Sequence, residues 1–278
     1  MKVIGLVVEY NPFHNGHLFH LKQAKKRFPN SFVICIMSGN WVQRGEPAIV
    51  NKWARTKMSL YGGADVVLEL PTAFALQSAE NFALGAIWTL DSTRVVTHLC
   101  FGSELGDIAP LKKIASLLLE EPYDFKVLLK DMLSRGFSYP AALANAVQLY
   151  LRDPRLTEVI NSPNNILGIE YLKSLRKINS PITPFTILRK GTGYHSLELK
   201  EEIASATAIR KNIEEDNMKK IIPALLPNTT DILKAEFAAG RGPIFHTDLD
   251  LPVLALLNRA TLEELYNLPD MENGLPER

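Results

Sequence analysis

Val3-Ile4-Gly5-Leu6-Val7-Val8-Glu9-Tyr10-Asn11-Pro12-Phe13-His14-Asn15-Gly16-His17 is an apolar run that breaks at Asn11-Pro12 and delivers two histidines around one glycine. A short apolar run closed by turn residues reads as a strand, and the pattern after it as a tight loop opening a helix. The loop then lies at the carboxyl end of a strand, where open parallel sheets hold their ligands. Gly16 lets the backbone approach a ligand with no Cβ in the way, and the helix behind it offers unpaired N–H groups and a positive dipole end to phosphate. His14 and His17 add side-chain donors aimed at the same phosphates. A site of this kind works by positioning and charge stabilisation, without a covalent intermediate.

Working outward, strand-like runs at residues 2–8, 32–37, 64–70 and 95–101 alternate with helical segments at about 17–28, 52–62 and 77–91. Strands spaced by helices give right-handed crossovers and a parallel sheet, so the fold class is α/β. The later runs are apolar without clean alternation, which predicts a sheet covered on both faces. Each ends in small or polar residues, Ser38-Gly39-Asn40, Leu70-Pro71-Thr72 and Phe101-Gly102-Ser103-Glu104, that together line one crevice. Residues 107–177 read as a helical insertion, and Phe185 to Arg189 as a further strand. Ser205 sits at a helix start within residues 203–211. Beyond Pro227, short helices are expected at 229–238 and 251–267, with polar coil over 272–278. This division predicts a catalytic domain over 1–226 and the start of a C-terminal helical region over 227–278.

The 278 residues carry a formal charge of +1, with 46% hydrophobic and 22% charged residues, so the composition is that of a globular chain and excludes disordered and fibrous classes. That balance gives no global attraction to nucleic acid, and RNA contact would rest on local patches such as Lys22 to Arg27. Cys35 and Cys100 fall inside apolar runs and are expected as reduced core residues. No run reaches the length of a membrane span and no leader precedes the first strand, which predicts a cytoplasmic protein. Nothing in the sequence sets an oligomeric state.

His14, His17 and His20 form an H-x2-H-x2-H series, but no cysteine or carboxylate cluster completes a metal shell, so no metal site is assigned. For His14 and His17 the structural alternative is loop capping, and for His20 it is a core role. Lys52 and Arg55, three apart at a helix start, either turn two cations into the crevice or line a solvated helix face. Gly102 keeps a Cβ away from a flat base, and Glu104 offers acceptors to ligand hydroxyls or amines. Ser205, Thr207, Arg210 and Lys211 set hydroxyls and cations around a helix N-terminus, which suits a triphosphate tail, although Ser205 is equally an N-cap.

These residues resemble the HxGH nucleotidylyltransferase superfamily, with His14-Asn15-Gly16-His17 as its signature and Ser205-Ala206-Thr207-Ala208-Ile209-Arg210 as its C-terminal phosphate motif. More closely, residues 5–17, Gln43-Arg44-Gly45-Glu46-Pro47-Ala48, Lys52-Trp53-Ala54-Arg55, Glu69-Leu70-Pro71, Phe101-Gly102-Ser103-Glu104 and Ser162-Pro163-Asn164-Asn165-Ile166-Leu167-Gly168 resemble the bacterial tRNA(Met) cytidine acetate ligases, over nearly the whole chain. The resemblance implies a Rossmann-like sheet and activation of acetate by ATP, with Mg²⁺, to acetyl-adenylate. The acetyl group then passes to N4 of the wobble cytidine of elongator tRNA(Met). It implies an ATP cradle of Val7, Val8, Glu9, Tyr10, Asn11, Pro12, Phe13, His14, Asn15, Gly16, His17, Leu18, Phe19 and His20, completed by Gly102, Asn164 or Asn165, and Arg189. His14, His17, Lys52 and Arg55 are the expected catalytic groups, and Ser205, Thr207 and Arg210 the expected contacts to the polyphosphate. Family members continue beyond the region matched here. Two rival readings are a nucleotidyltransferase that adenylylates a phosphorylated small molecule and a non-catalytic nucleotide- or RNA-binding module.

Overall fold

The computed structural model describes residues 1–43, 45–153, 156–189, 204–268 and 271. Arg44, residue 203 and the expected coil over 272–278 lie outside the described residues.

Five strands, β1 (Val3–Val8), β2 (Phe32–Ser38), β3 (Val66–Leu70), β4 (His98–Ser103) and β5 (Thr183–Leu188), form one sheet in the order β3-β2-β1-β4-β5. Every neighbouring pair is parallel, with Val8 opposite Met37, Leu6 opposite Cys100 and Ser103 opposite Leu188. The chain starts in the middle, steps outward to β3, and then crosses to the far side of β1. That reversal opens a crevice between the carboxyl ends of β1 and β4, where such sheets bind ligands.

The connections are helical: α1 (Asn15–Arg27), α2 (Lys52–Tyr61), α3 (Thr72–Ala75) and α4 (Ala79–Ser92). The helix expected over 77–91 is α4, and α3 is a further short turn ahead of it. After β4 the insertion supplies α5 (Ile108–Glu120), α6 (Tyr123–Ser134), α7 (Tyr139–Leu151), α8 (Leu156–Asn161) and α9 (Pro163–Lys177). Beyond β5 come α10 (Ala206–Glu214), α11 (Met218–Ile221), α12 (Pro227–Ala238), α13 (Asp250–Arg259) and α14 (Leu262–Tyr266).

Strand alternation divides the core in two. Ile34, Ile36, Leu99 and Phe101 join α4 and the insertion through Phe82, Leu90, Ile169 and Leu172 in one apolar cluster. On the other face Cys100 meets His20 of α1, and Cys35 meets Ser59 of α2. Both cysteines are buried and unpaired, and burial pushes the Cys35 thiol up to about 11, so it stays protonated. Helix α9 lies close on β4 because Gly168 leaves room there: a Cβ would fall 2.5 Å from the Phe101 ring. β3 begins at Val66 rather than 64 because Asp65 turns inward, accepting from Val33 N–H at 2.7 Å and pairing with Lys25 at 3.1 Å.

The chain divides into a compact unit over Met1–Pro243 and a second over Ile244–Arg278. The sequence reading divides the chain at 226, whereas the compact unit runs on to Pro243. Helix α12 belongs to the first unit because Thr229, Thr230 and Leu233 are buried and Glu236 accepts from Asn51 Nδ2 at 2.9 Å. In the second unit α13 and α14 bury none of their own residues. Among the described residues no helix is long and apolar enough to cross a membrane.

Candidate nucleotide site at the ends of β1 and β4

β1 ends at Val8, and Tyr10, with φ +46°, turns the chain into the loop. Phe13 is fully buried, packing edge-on to Tyr10 at 4.7 Å between centroids and lying against Gly62. This aromatic floor carries the histidines. His14 is the N-cap of α1, its Nδ1 accepting from Gly16 N–H at 3.0 Å, while His17 Nδ1 accepts from His14 N–H at 3.3 Å. The rings lie 3.7 Å apart, and His17 also packs on Tyr10 at 4.8 Å.

The reciprocal cap has a chemical consequence. An Nδ1 that accepts from backbone carries no proton, so the neutral ring is protonated at Nε2 and presents an N–H donor there. Burial, reinforced by Arg189 and Arg210, pushes His14 down to about 3. Burial and then the neighbouring His14 hold His17 well below the ordinary imidazole range. Capping and phosphate binding are therefore compatible: one nitrogen of each ring fixes the helix start and the other is left as an uncharged donor.

His20, included by resemblance in the cradle, turns its ring to β4. Its Nε2 lies 3.4 Å from Cys100 Sγ, and the ring also bonds the Phe101 backbone. Leu18 and Phe19 lie half-buried on the first turns of α1. Val7 and Val8 end the strand beneath the loop. Asn11 binds the following loop through Oδ1, which accepts from Ile49 N–H at 2.8 Å, and Pro12 is buried beside it.

Helix α10 returns to this loop. Arg210 Nη1 donates to the Asn11 carbonyl at 3.0 Å, and Asn15 Nδ2 donates to the Pro223 carbonyl at 2.9 Å. The histidine loop and the Ser205-to-Arg210 segment are thus parts of one surface. Ser205 caps α10 by accepting from Ala208 N–H at 3.1 Å, Thr207 is exposed on the first turn, and Lys211 pairs along its own helix with Glu215 at 3.9 Å.

The opposite wall comes from β4, β5 and α9. Gly102 faces Arg189, where a Cβ would meet the side chain at 3.1 Å. Glu104, expected to serve ligand hydroxyls, instead caps α9: it accepts from Asn164 N–H at 3.2 Å, Asn164 Nδ2 at 2.6 Å and Asn165 N–H at 2.9 Å. A carboxylate at a helix N-terminus satisfies orphan donors and the dipole together. Asn165 is buried, its Oδ1 accepting from Glu104 N–H at 3.1 Å, whereas Asn164 is half-exposed and its Oδ1 accepts from Arg189 Nη1 at 3.2 Å.

Arg55 does not line a solvated helix face. It is fully buried, and its guanidinium donates to the carbonyls of Glu9, Ser38 and Gly39, tying the ends of β1 and β2 together. Burial lowers it to about 10, against the opposing pull of Glu9 and Glu69, and it remains cationic at neutral pH. Lys52 is part-exposed, with Nζ 2.6 Å from Glu69 Oε2. Glu9 Oε1 accepts from Gln43 N–H at 2.7 Å. Trp53 is a feature the apolar pattern hides: it is 70% exposed, although tryptophan is normally sent inward. Helical spacing reveals it, since Ala54 and Met58 define the buried face and Trp53, Lys57 and Leu60 the opposite one.

Among the described residues no three His, Cys, Asp or Glu side chains gather to hold a metal ion.

A family model described as HIGH Nucleotidyl Transferase matches residues 1–278. Sheet order, capped histidine pair and returning α10 accordingly define a HIGH-type nucleotidyl transferase. Among curated relatives, the tRNA(Met) cytidine acetate ligase of Acetivibrio thermocellus is 49% identical, covering 100% of this chain and 68% of the relative, and that of Halothermothrix orenii is 47% identical at the same coverage. The crystal structure of apo Thermotoga maritima TmcAL matches with a TM-score of 0.92, and the one bound with alpha-thio ATP with 0.91, each at 39% identity and covering 100% of this chain and 66% of the other. The chain belongs to the tRNA(Met) cytidine acetate ligase family and spans about two thirds of the length of these relatives.

Proposed function

We propose that this chain is an acyl-adenylate-forming ligase that activates acetate with ATP and acetylates N4 of the wobble cytidine of elongator tRNA(Met). The observation that carries it is the Arg210 bond to the Asn11 carbonyl, 3.0 Å, which joins the α10 cation to the histidine loop on one polyphosphate surface. The names of the full-length relatives supply the acceptor.

An acetate oxygen attacks the α-phosphorus of ATP, the bond from that phosphorus to the bridging oxygen breaks, and pyrophosphate leaves. His14 and His17 donate from Nε2 to the phosphates, and Arg210 with the α10 N-terminus receives the departing charge, so stabilisation grows as charge shifts outward. Arg189 lies against Gly102 and accompanies the half-exposed Asn164, which is therefore the asparagine assigned to ATP, while Asn165 supports the wall. Arg55 holds the strand ends in register rather than touching substrate. Mg²⁺, carried on the triphosphate, supplies further charge neutralisation. The cytidine N4 then attacks the acetyl carbonyl, forming the amide and releasing AMP and one proton. Sequence-specific proteins favour such unstacked loop bases in RNA. A tRNA substrate places the reaction in the cytoplasm.

Incubation with ATP, acetate and elongator tRNA(Met), followed by nucleoside mass analysis, should show N4-acetylcytidine, and pyrophosphate should exchange into ATP only with acetate present. Exchange that ignores acetate, or an adenylylated metabolite in place of the modified nucleoside, would refute this reading.

A further inference from the structure

The proposed nucleotide site is built on the β1/β4 half of the rim. The adjoining β2/β3 half carries a set of groups that the activation step does not use. The first turn of α2 hangs on these strand ends: Lys52 N–H donates to Asn40 Oδ1 at 2.8 Å, and Lys52 Nζ reaches Glu69 Oε2 at 2.6 Å. Trp53 projects from that turn, 70% exposed, with the Lys52 ammonium 5.6 Å from its ring centroid. Arg55, two residues on, binds the carbonyls of Glu9, Ser38 and Gly39, so the turn is fixed to the strand that opens the nucleotide loop.

From this juxtaposition we infer that Trp53 is the stacking platform for the acceptor cytosine, with Lys52 and Glu69 reading its edge. The inference rests on the proposed acetyl transfer. A large apolar surface held in water beside a cation is the arrangement that single-stranded nucleic acid uses, because every base has a π-face to lay on an indole. Cytosine presents an N4 amine donor beside ring acceptors, and carboxylates are its usual N4 partners. The Lys52–Glu69 pair displays a donor and an acceptor side by side, complementary to that edge. Stacking there holds the base flat on the rim that also carries the activated acetyl group.

Trp53→Ala should raise the KM for tRNA in acetylation about five- to a hundredfold, the span of one lost base stack, with a smaller change in kcat, and Trp53→Phe should recover most of it. Acetate-dependent pyrophosphate exchange should stay within twofold in both variants. In protein carrying Trp41→Phe and Trp88→Phe, tRNA should quench the remaining indole emission, a reading that needs no turnover. Unchanged KM in Trp53→Ala, or emission that tRNA leaves unquenched, would overturn the subsite, as would parallel loss of exchange in both Trp53 variants. Absence of acetate-dependent exchange in the parent protein is a separate result, which falls on the proposed function while the quenching titration still tests the platform.

Discussion

At the scale of single residues, the site depends on side chains that hold backbone with one atom and leave another for chemistry. His14 and His17 close a capping box with Nδ1, a position usually held by oxygen side chains. The two roles are separable by substitution. Asn is among the best N-caps, so His14→Asn should keep the helix start while removing the Nε2–H. Acetate-dependent exchange is expected to fall about a hundredfold, the cost of one transition-state donor, with the urea midpoint little changed. His17→Ala should lose a similar factor, and near-normal exchange in either variant would remove that ring from the phosphate role. Arg55 is the opposite case, wholly structural in its contacts. Arg55→Met leaves the carbonyls of Glu9, Ser38 and Gly39 without their donor and should cost about 3 kcal/mol or more, read as a lower urea midpoint. Arg55→Lys should recover only part of this, because one ammonium cannot reproduce a planar fork.

At the scale of elements, the decisive arrangement is α10 against the β1–α1 loop, and two substitutions on α10 should give different signatures. Ser205→Ala removes the cap bond to Ala208 N–H and should cost about 1 kcal/mol of stability. Arg210→Ala loses the bond to the Asn11 carbonyl, which should cost about 1–2 kcal/mol of stability, and in addition should raise the KM for ATP and slow exchange roughly tenfold or more, an effect on activity that Ser205→Ala should not share. Equal effects of the two on exchange would mean that α10 acts only as a scaffold. The sheet and its crevice were legible in sequence because buried parallel strands are continuous apolar runs, and β1 and β2 read that way within a residue or so. The return of α10 was expected only through the resemblance of Ser205 to Arg210 to a phosphate motif, since 199 residues separate Arg210 from Asn11 and no local pattern encodes that pairing. The role of Glu104 was not legible, because a carboxylate facing a ligand and one capping a helix 60 residues away are the same letter in the sequence. Lys52 and Arg55 lie on one short helix, yet only tertiary packing sends one to the rim and the other into the core.

For the whole molecule, packing the buried His14 and the half-buried His17 and His20 beneath the rim ties folding to pH. In the native chain His14 is pushed down to about 3, His20 to about 4 and His17 well below its usual value, burial being the largest cause for each. In the unfolded chain each titrates near 6.5. Below that pH the unfolded state therefore binds protons that the native state refuses, so stability is complete above about 6.5 and declines as pH falls toward the native values. Each ring contributes a slope approaching 1.4 kcal/mol per pH unit inside its window. The urea midpoint of the ligand-free protein should accordingly drop steeply from pH 7.5 to 5.5, well before carboxylates begin to protonate. His20→Asn removes one of the three protons and should flatten that dependence by about a third, although its lost bonds to β4 lower stability at every pH. A midpoint level across the same interval would show that the rings protonate freely in the folded chain, and with that the neutral Nε2–H donors assigned to the phosphates would be lost.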